Sequence, residues 1–183
     1  MEISQAQNKA VGEYVDLVAS KVGAGGRAVH PETAIASAAR IAGSFSLRSF
    51  GLQIDSLQPG SVVLSEESNE KGPRFVAILA TVLSKLGVTL DEAVITAEDA
   101  PRGAPPRQTT LETLILLQKD ALGVASRNQL SLEEAALSAT LATAFIVKEC
   151  ARDIQAEVAF NVAVRGFIEG SKTAPPPVNT PGT

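Results

Sequence analysis

The chain contains no tryptophan, one tyrosine, one histidine and one cysteine in 183 residues, and each scarcity removes a class of function. One His and one Cys cannot supply the His/Cys ligand set of a typical zinc site, and a lone Cys150 cannot close an internal disulfide. Six Phe and one Tyr provide no stacking platform for single strands. The 16 Lys and Arg residues are scattered within a net charge of −4, so there is no basic footprint and no nucleic-acid partner is expected. The longest uncharged apolar-to-small run, 135–147, is too short for a bilayer and is interrupted by Ser138, Thr140 and Thr143; no membrane partner is expected. The opening Met1-Glu2-Ile3-Ser4-Gln5 does not follow the basic-then-apolar order of a secretory leader. With the single cysteine, this predicts a cytoplasmic location. No G-x-S-x-G elbow accompanies His30, and Gly23-Ala24-Gly25-Gly26 leads into no G-K-[ST], so neither a serine triad nor a phosphate loop is indicated.

What is abundant is alanine. Twenty-eight alanines sit within a hydrophobic content of 45%. Alanine is the best helix former and a poor strand former, so the composition predicts an all-α fold whose helices approach one another closely. The length suits one domain, a bundle of about five to seven helices over residues 1–172. The Pro-rich tail, 173–183, reads as extended or disordered.

Apolar spacing predicts a first helix over 2–22, stopped by the glycines after Val22. His30-Pro31-Glu32 starts a second helix, with Pro31 welcome in the first turn and Gly51 as its stop. Between Glu32 and Phe50 its only charges are Arg40 and Arg48, and Ala34, Ala38 and Ala42 recur every fourth residue, which places this helix at the centre or at a subunit interface. Residues 52–64, around Pro59-Gly60, read as a minor β-hairpin or an extended loop. Ser65 is a candidate N-cap, Gly72-Pro73 marks a break or a fresh start, and 75–86 is helical. Three capping-box patterns follow: Thr89 with Glu92, Thr109 with Glu112, and Ser131 with Glu134. The Pro-rich segment 98–108 between them is a loop, and the last box opens one long C-terminal helix over about 132–170.

Two clusters invite chemistry. Glu66, Glu67 and Glu70 occupy i, i+1 and i+4 of a helix start, so their carboxylates are candidates for Mg²⁺. The string Glu66-Glu67-Ser68-Asn69-Glu70 is similar to the E-E-x-x-E half-motif of the all-α nucleotide pyrophosphatases, and that resemblance implies magnesium-dependent hydrolysis of nucleoside triphosphates. The E-x-x-D pair of that family is missing: Asp91 and Glu92 do not form it, and Asp99 follows Thr96 at the required spacing. The opposing reading is that acids in a first turn complement the helix dipole and face water. Arg40 and Arg48, eight residues apart on one stripe with Ser44, are anion-binding candidates or structural partners for acids on another helix. Further along, Glu149, Asp153 and Glu157 form an i, i+4, i+8 ladder that reads as a solvated face.

No catalytic residue can be assigned from these features. They predict a non-enzymatic, self-associating interaction module with no cofactor, its partner a second copy or another protein. The exposed side of 75–86 or of 135–147 would make the contact. The competing readings are a magnesium-dependent phosphohydrolase, using the three glutamates and the two arginines, and a helical small-ligand-binding protein.

Overall fold

A computed structural model of the chain describes residues 2–23 and 29–178. Among these residues there are seven α-helices and no β-strand: α1 (Gln5–Val22), α2 (Pro31–Arg48), α3 (Glu66–Lys85), α4 (Glu92–Thr96), α5 (Thr110–Arg127), α6 (Leu132–Cys150) and α7 (Ala156–Ser171). The protein is a single-domain all-α bundle. No helix among the described residues is long and apolar enough to cross a membrane by itself.

The helix starts follow local chemistry. Ser4, Thr109 and Ser131 each accept a backbone N–H three residues on, and Gln7, Glu112 and Glu134 reach back to complete capping boxes. Ser65 caps α3 alone, through the N–H of Ser68. The box drawn on Thr89 does not form. Asp91 caps α4 instead, accepting from Ala93 N at 2.9 Å, because α4 begins two residues later than that pattern requires.

Helix α2 occupies the middle, and its residues from Glu32 through Leu47 are all buried. It packs against α6 and α7, with α1 and α5 at its flanks and α3 covering α6 and α7. Its crossing with α7 depends on glycine. A Cβ on Gly43 would run into the Phe167 carbonyl and the Ser171 amide, and one on Gly170 into the Arg40 carbonyl. Ala36 and Ala39 meet Gly166 on the same line, so the two backbones are nearly in contact.

Three expectations need correction, and a fourth is narrowed to one of its alternatives. The C-terminal helix is not continuous over 132–170: α6 ends at Cys150, residues 151–155 turn, and α7 starts at Ala156. No Gly or Pro marks that turn; both halves pack on α2, which one straight rod could not do. The acidic ladder is therefore divided, and Glu157 instead accepts from Asp91 N at 3.1 Å. Of the two readings of 52–64, no hairpin forms; the segment is a loop with a 3₁₀ turn at Ile54–Ser56 and one antiparallel bridge between Val62 and Thr173. Gly72-Pro73 neither breaks nor starts α3. Phe75, Leu79 and Leu83 are buried beyond it, and their packing holds the helix through the missing N–H.

The glycine-rich stop begins at Gly23, and residues 24–28 lie outside the described residues. The tail has no regular secondary structure over residues 174–178, and its first part belongs to the fold. Ala174 is fully buried with Leu47, Ile54 and Val63 in a small second core. Residues 179–183 lie outside the described residues.

Candidate functional site

The arginine candidates come first, because their surroundings decide what they can do. Arg40 is 4% exposed. Its Nε and Nη2 donate to Glu169 Oε2 at 2.8 and 2.6 Å, and its Nη1 donates to the Gln108 carbonyl at 2.7 Å and Thr113 Oγ1 at 3.0 Å. Thr110 Oγ1 donates to the same Glu169 oxygen at 3.1 Å. The guanidinium thus ties α2 to α5, α7 and the Pro-rich loop. Arg48 donates through Nη2 to the Pro176 carbonyl at 3.3 Å.

The three glutamates lie in the first turns of α3, Glu66 and Glu70 exposed and Glu67 half-buried. Among the described residues, no three His, Cys, Asp or Glu side chains come together as a metal-holding group.

His30 stands at the entry to α2, where its Nδ1 lies 3.0 Å from Thr33 Oγ1 and 3.5 Å from Glu32 Oε2. Glu32 and Thr33 also accept the backbone N–H groups of Ala104 and Arg107. The N-terminus of α2 therefore fastens the Pro-rich loop. Cys150, at the end of α6, has its thiol pushed up to about 11, first by burial and then by Asp153, Glu32 and Glu149.

The large concave feature lies elsewhere. Helix α3 carries two faces: Phe75, Leu79 and Leu83 point into the core, while Ser68, Gly72, Val76, Ala80 and Ser84 recur every fourth residue along a second face. That second row forms one wall of a groove of about 1060 Å³. Phe160, Val164, Phe167 and Ile168 of α7 form the opposite wall, and Leu90 and Ile95, at α4, close one end. Phe75 and Phe167 stack beneath it, their ring centroids 3.9 Å apart at 19°.

Polar groups hold the groove's edges. Ser68 Oγ donates to the Ser171 carbonyl at 3.1 Å, Lys172 Nζ to Asn69 Oδ1 at 3.1 Å, and Asn161 Nδ2 to the Pro101 carbonyl at 3.0 Å. The ionisable side chains lining it are Glu92 and Lys172. Chemically this is a small-residue, apolar floor with a polar rim, suited to receiving apolar surface.

A second groove of about 600 Å³ lies between α1 and α6, lined by Val11, Val15, Phe145 and Cys150. The sequence offered two contact sides, 75–86 and 135–147: Val76, Ala77, Ala80 and Ser84 line the larger groove, and Phe145 and Ile146 the smaller. It did not identify the α7 wall or the α4 end, although the four-residue recurrence of small residues over 68–84 is readable in the sequence. Neither a family model, nor a curated protein, nor a solved structure matches this chain.

Proposed function

We propose that this chain is a non-enzymatic, self-associating interaction protein whose α3–α4–α7 groove receives a second copy. The groove itself carries the reading. Its small-residue wall runs from Ser68 to Ser84, about 24 Å at 1.5 Å per residue, which is more than four helical turns. That span is longer than a compact metabolite fills. Small side chains at every fourth position let an incoming helix seat its ridge close to the α3 backbone. An open apolar surface of this extent marks an interaction site, and in a two-fold pair the same groove serves both copies.

A cytoplasmic setting accompanies this reading, since a single half-buried thiol suits a reducing compartment. No cofactor is required. The magnesium-dependent phosphohydrolase alternative has only the E-E-x-x-E string behind it, because Arg40 is engaged by Glu169 and none of its five residues lines the groove.

Light scattering during size exclusion tests the proposal. The wild-type chain is expected at twice 19.0 kDa and the Ala80→Arg variant at 19.0 kDa with unchanged circular dichroism. A wild-type monomer, or a dimer indifferent to Ala80→Arg, overturns it. A magnesium-dependent thermal shift that disappears in Glu67→Ala would favour the hydrolase instead.

A further inference from the structure

The start of the C-terminal tail is seated on the fold as a ligand would be. Lys172 O accepts from Val63 N, Ala174 N donates to Ser61 O, and Ala174 O accepts from Gly60 N, all at 2.8 Å. This is strand-like pairing with the 60–63 segment. Pro175, Pro176 and Pro177 follow, and a proline run has no N–H to offer, so only its carbonyls and ring faces can be recognised. Two side chains from different helices converge on one of those carbonyls: Gln118 Nε2 of α5 at 2.9 Å and Arg48 Nη2 of α2 at 3.3 Å donate to Pro176 O. Donors aimed at the carbonyls of an extended proline segment are a recurring mode of peptide recognition.

One atom does not fit its occupant. Gln118 is 3% exposed, and its Oε1 is buried without a hydrogen bond. In β backbone, which a non-proline residue at this position is free to adopt, a residue's own C=O and N–H project to the same side, so a primary amide donating to the first is placed to accept from the second. At position 176 that second group is missing, because the residue is proline.

We propose that the face formed by Arg48, Gln118 and the 60–63 segment is an exchangeable binding site for an extended Pro-X-Pro peptide, with a non-proline residue at the register of Pro176. Residues 174–178 are its internal, submaximal occupant. The tail keeps the site covered by proximity, and a partner segment that supplies the absent N–H displaces it.

Two measurements on the full-length chain test this. In the Pro176→Ala variant, the new amide at 176 is expected to exchange with solvent at least about tenfold more slowly than an unprotected amide. That protection should be lost when Gln118→Leu is added. In the wild-type chain, fluorescein-labelled peptides of residues 172–183 are titrated by anisotropy, in the native sequence and with Pro176→Ala. The substituted peptide is expected to bind saturably, about tenfold tighter than the native one, as one added hydrogen bond allows. Rapid exchange at 176 overturns the pairing with Gln118. Equal affinity of the two peptides overturns the selection. Protection at 176 without binding of either peptide makes the tail a permanent part of the fold and overturns exchange.

Discussion

At the scale of single residues, the informative positions are polar groups in dry surroundings. Arg40 looked like an anion clamp because two arginines on an apolar helix need explaining; the structure answers for Arg40 with Glu169, Thr113 and the Gln108 carbonyl. Removing the acid leaves a buried guanidinium short of its partner. Glu169→Ala should therefore cost about 2 kcal/mol in denaturant unfolding, below the about 3–5 kcal/mol of a fully buried pair because Glu169 is 34% exposed. Tyr14 is the opposite case. Its ring packs on Phe45 at 5.9 Å, its hydroxyl is buried without a hydrogen bond, and burial raises the phenol above its ordinary range. Tyr14→Phe should leave stability unchanged or raise it by about 1 kcal/mol, measured the same way. Cys150, with its thiol held near 11, should react with a disulfide reagent far more slowly than a free thiol at pH 8 and accelerate as pH approaches that value. Arg40 and Glu169 are 129 positions apart, so only the folded chain reveals their pairing.

At the scale of elements, helix starts were legible and helix ends less so. Two of the three boxes read from the sequence form, because a cap needs only three consecutive peptide units to close its hydrogen bonds. The third loses to Asp91. These caps carry a pH signature. Backbone N–H groups of Thr109 and Ser131 hold Glu112 and Glu134 below their ordinary 4.5, and the hydrogen bond from Asn128 does the same to Glu13. A carboxylate lowered by folding stabilises fully above that ordinary value and loses its contribution as pH falls through the lowered one. Unfolding midpoints followed downward from pH 5 should thus fall less steeply for Glu134→Gln, which cannot titrate, than for the wild type. The α2–α7 crossing is the other prediction at this scale. Gly170→Ala forces a methyl into the Arg40 backbone, which cannot rotate away as a side chain could, and overpacking of this kind costs about 1–3 kcal/mol or more. If its thermal midpoint equals that of the wild type, the close approach is not real. Alanine enrichment announced such an approach on α2; Gly166 and Gly170, which make it possible on α7, carried no meaning until the two helices were placed together.

At the scale of the whole molecule, the bundle leaves one long groove and one strapped face. If the groove is where copies meet, dilution should shift the light-scattering mass from twice 19.0 kDa toward 19.0 kDa, and Ala80→Arg should reproduce the dilute state. The sequence alone determined the helical class, the single domain, the starts of α2, α3, α5 and α6 and the centrality of the helix that opens at Pro31. Those follow from propensity, capping and apolar periodicity, which act over a few neighbouring residues. Only the tertiary structure decided the rest: that 132–170 is two helices, that Pro73 sits inside one, that the tail pairs with Ser61, and that Arg40 is held by Glu169. Each outcome depends on distant surfaces competing for burial. Residues 151–155 hold no helix breaker, and the chain turns there because α6 and α7 both pack on α2.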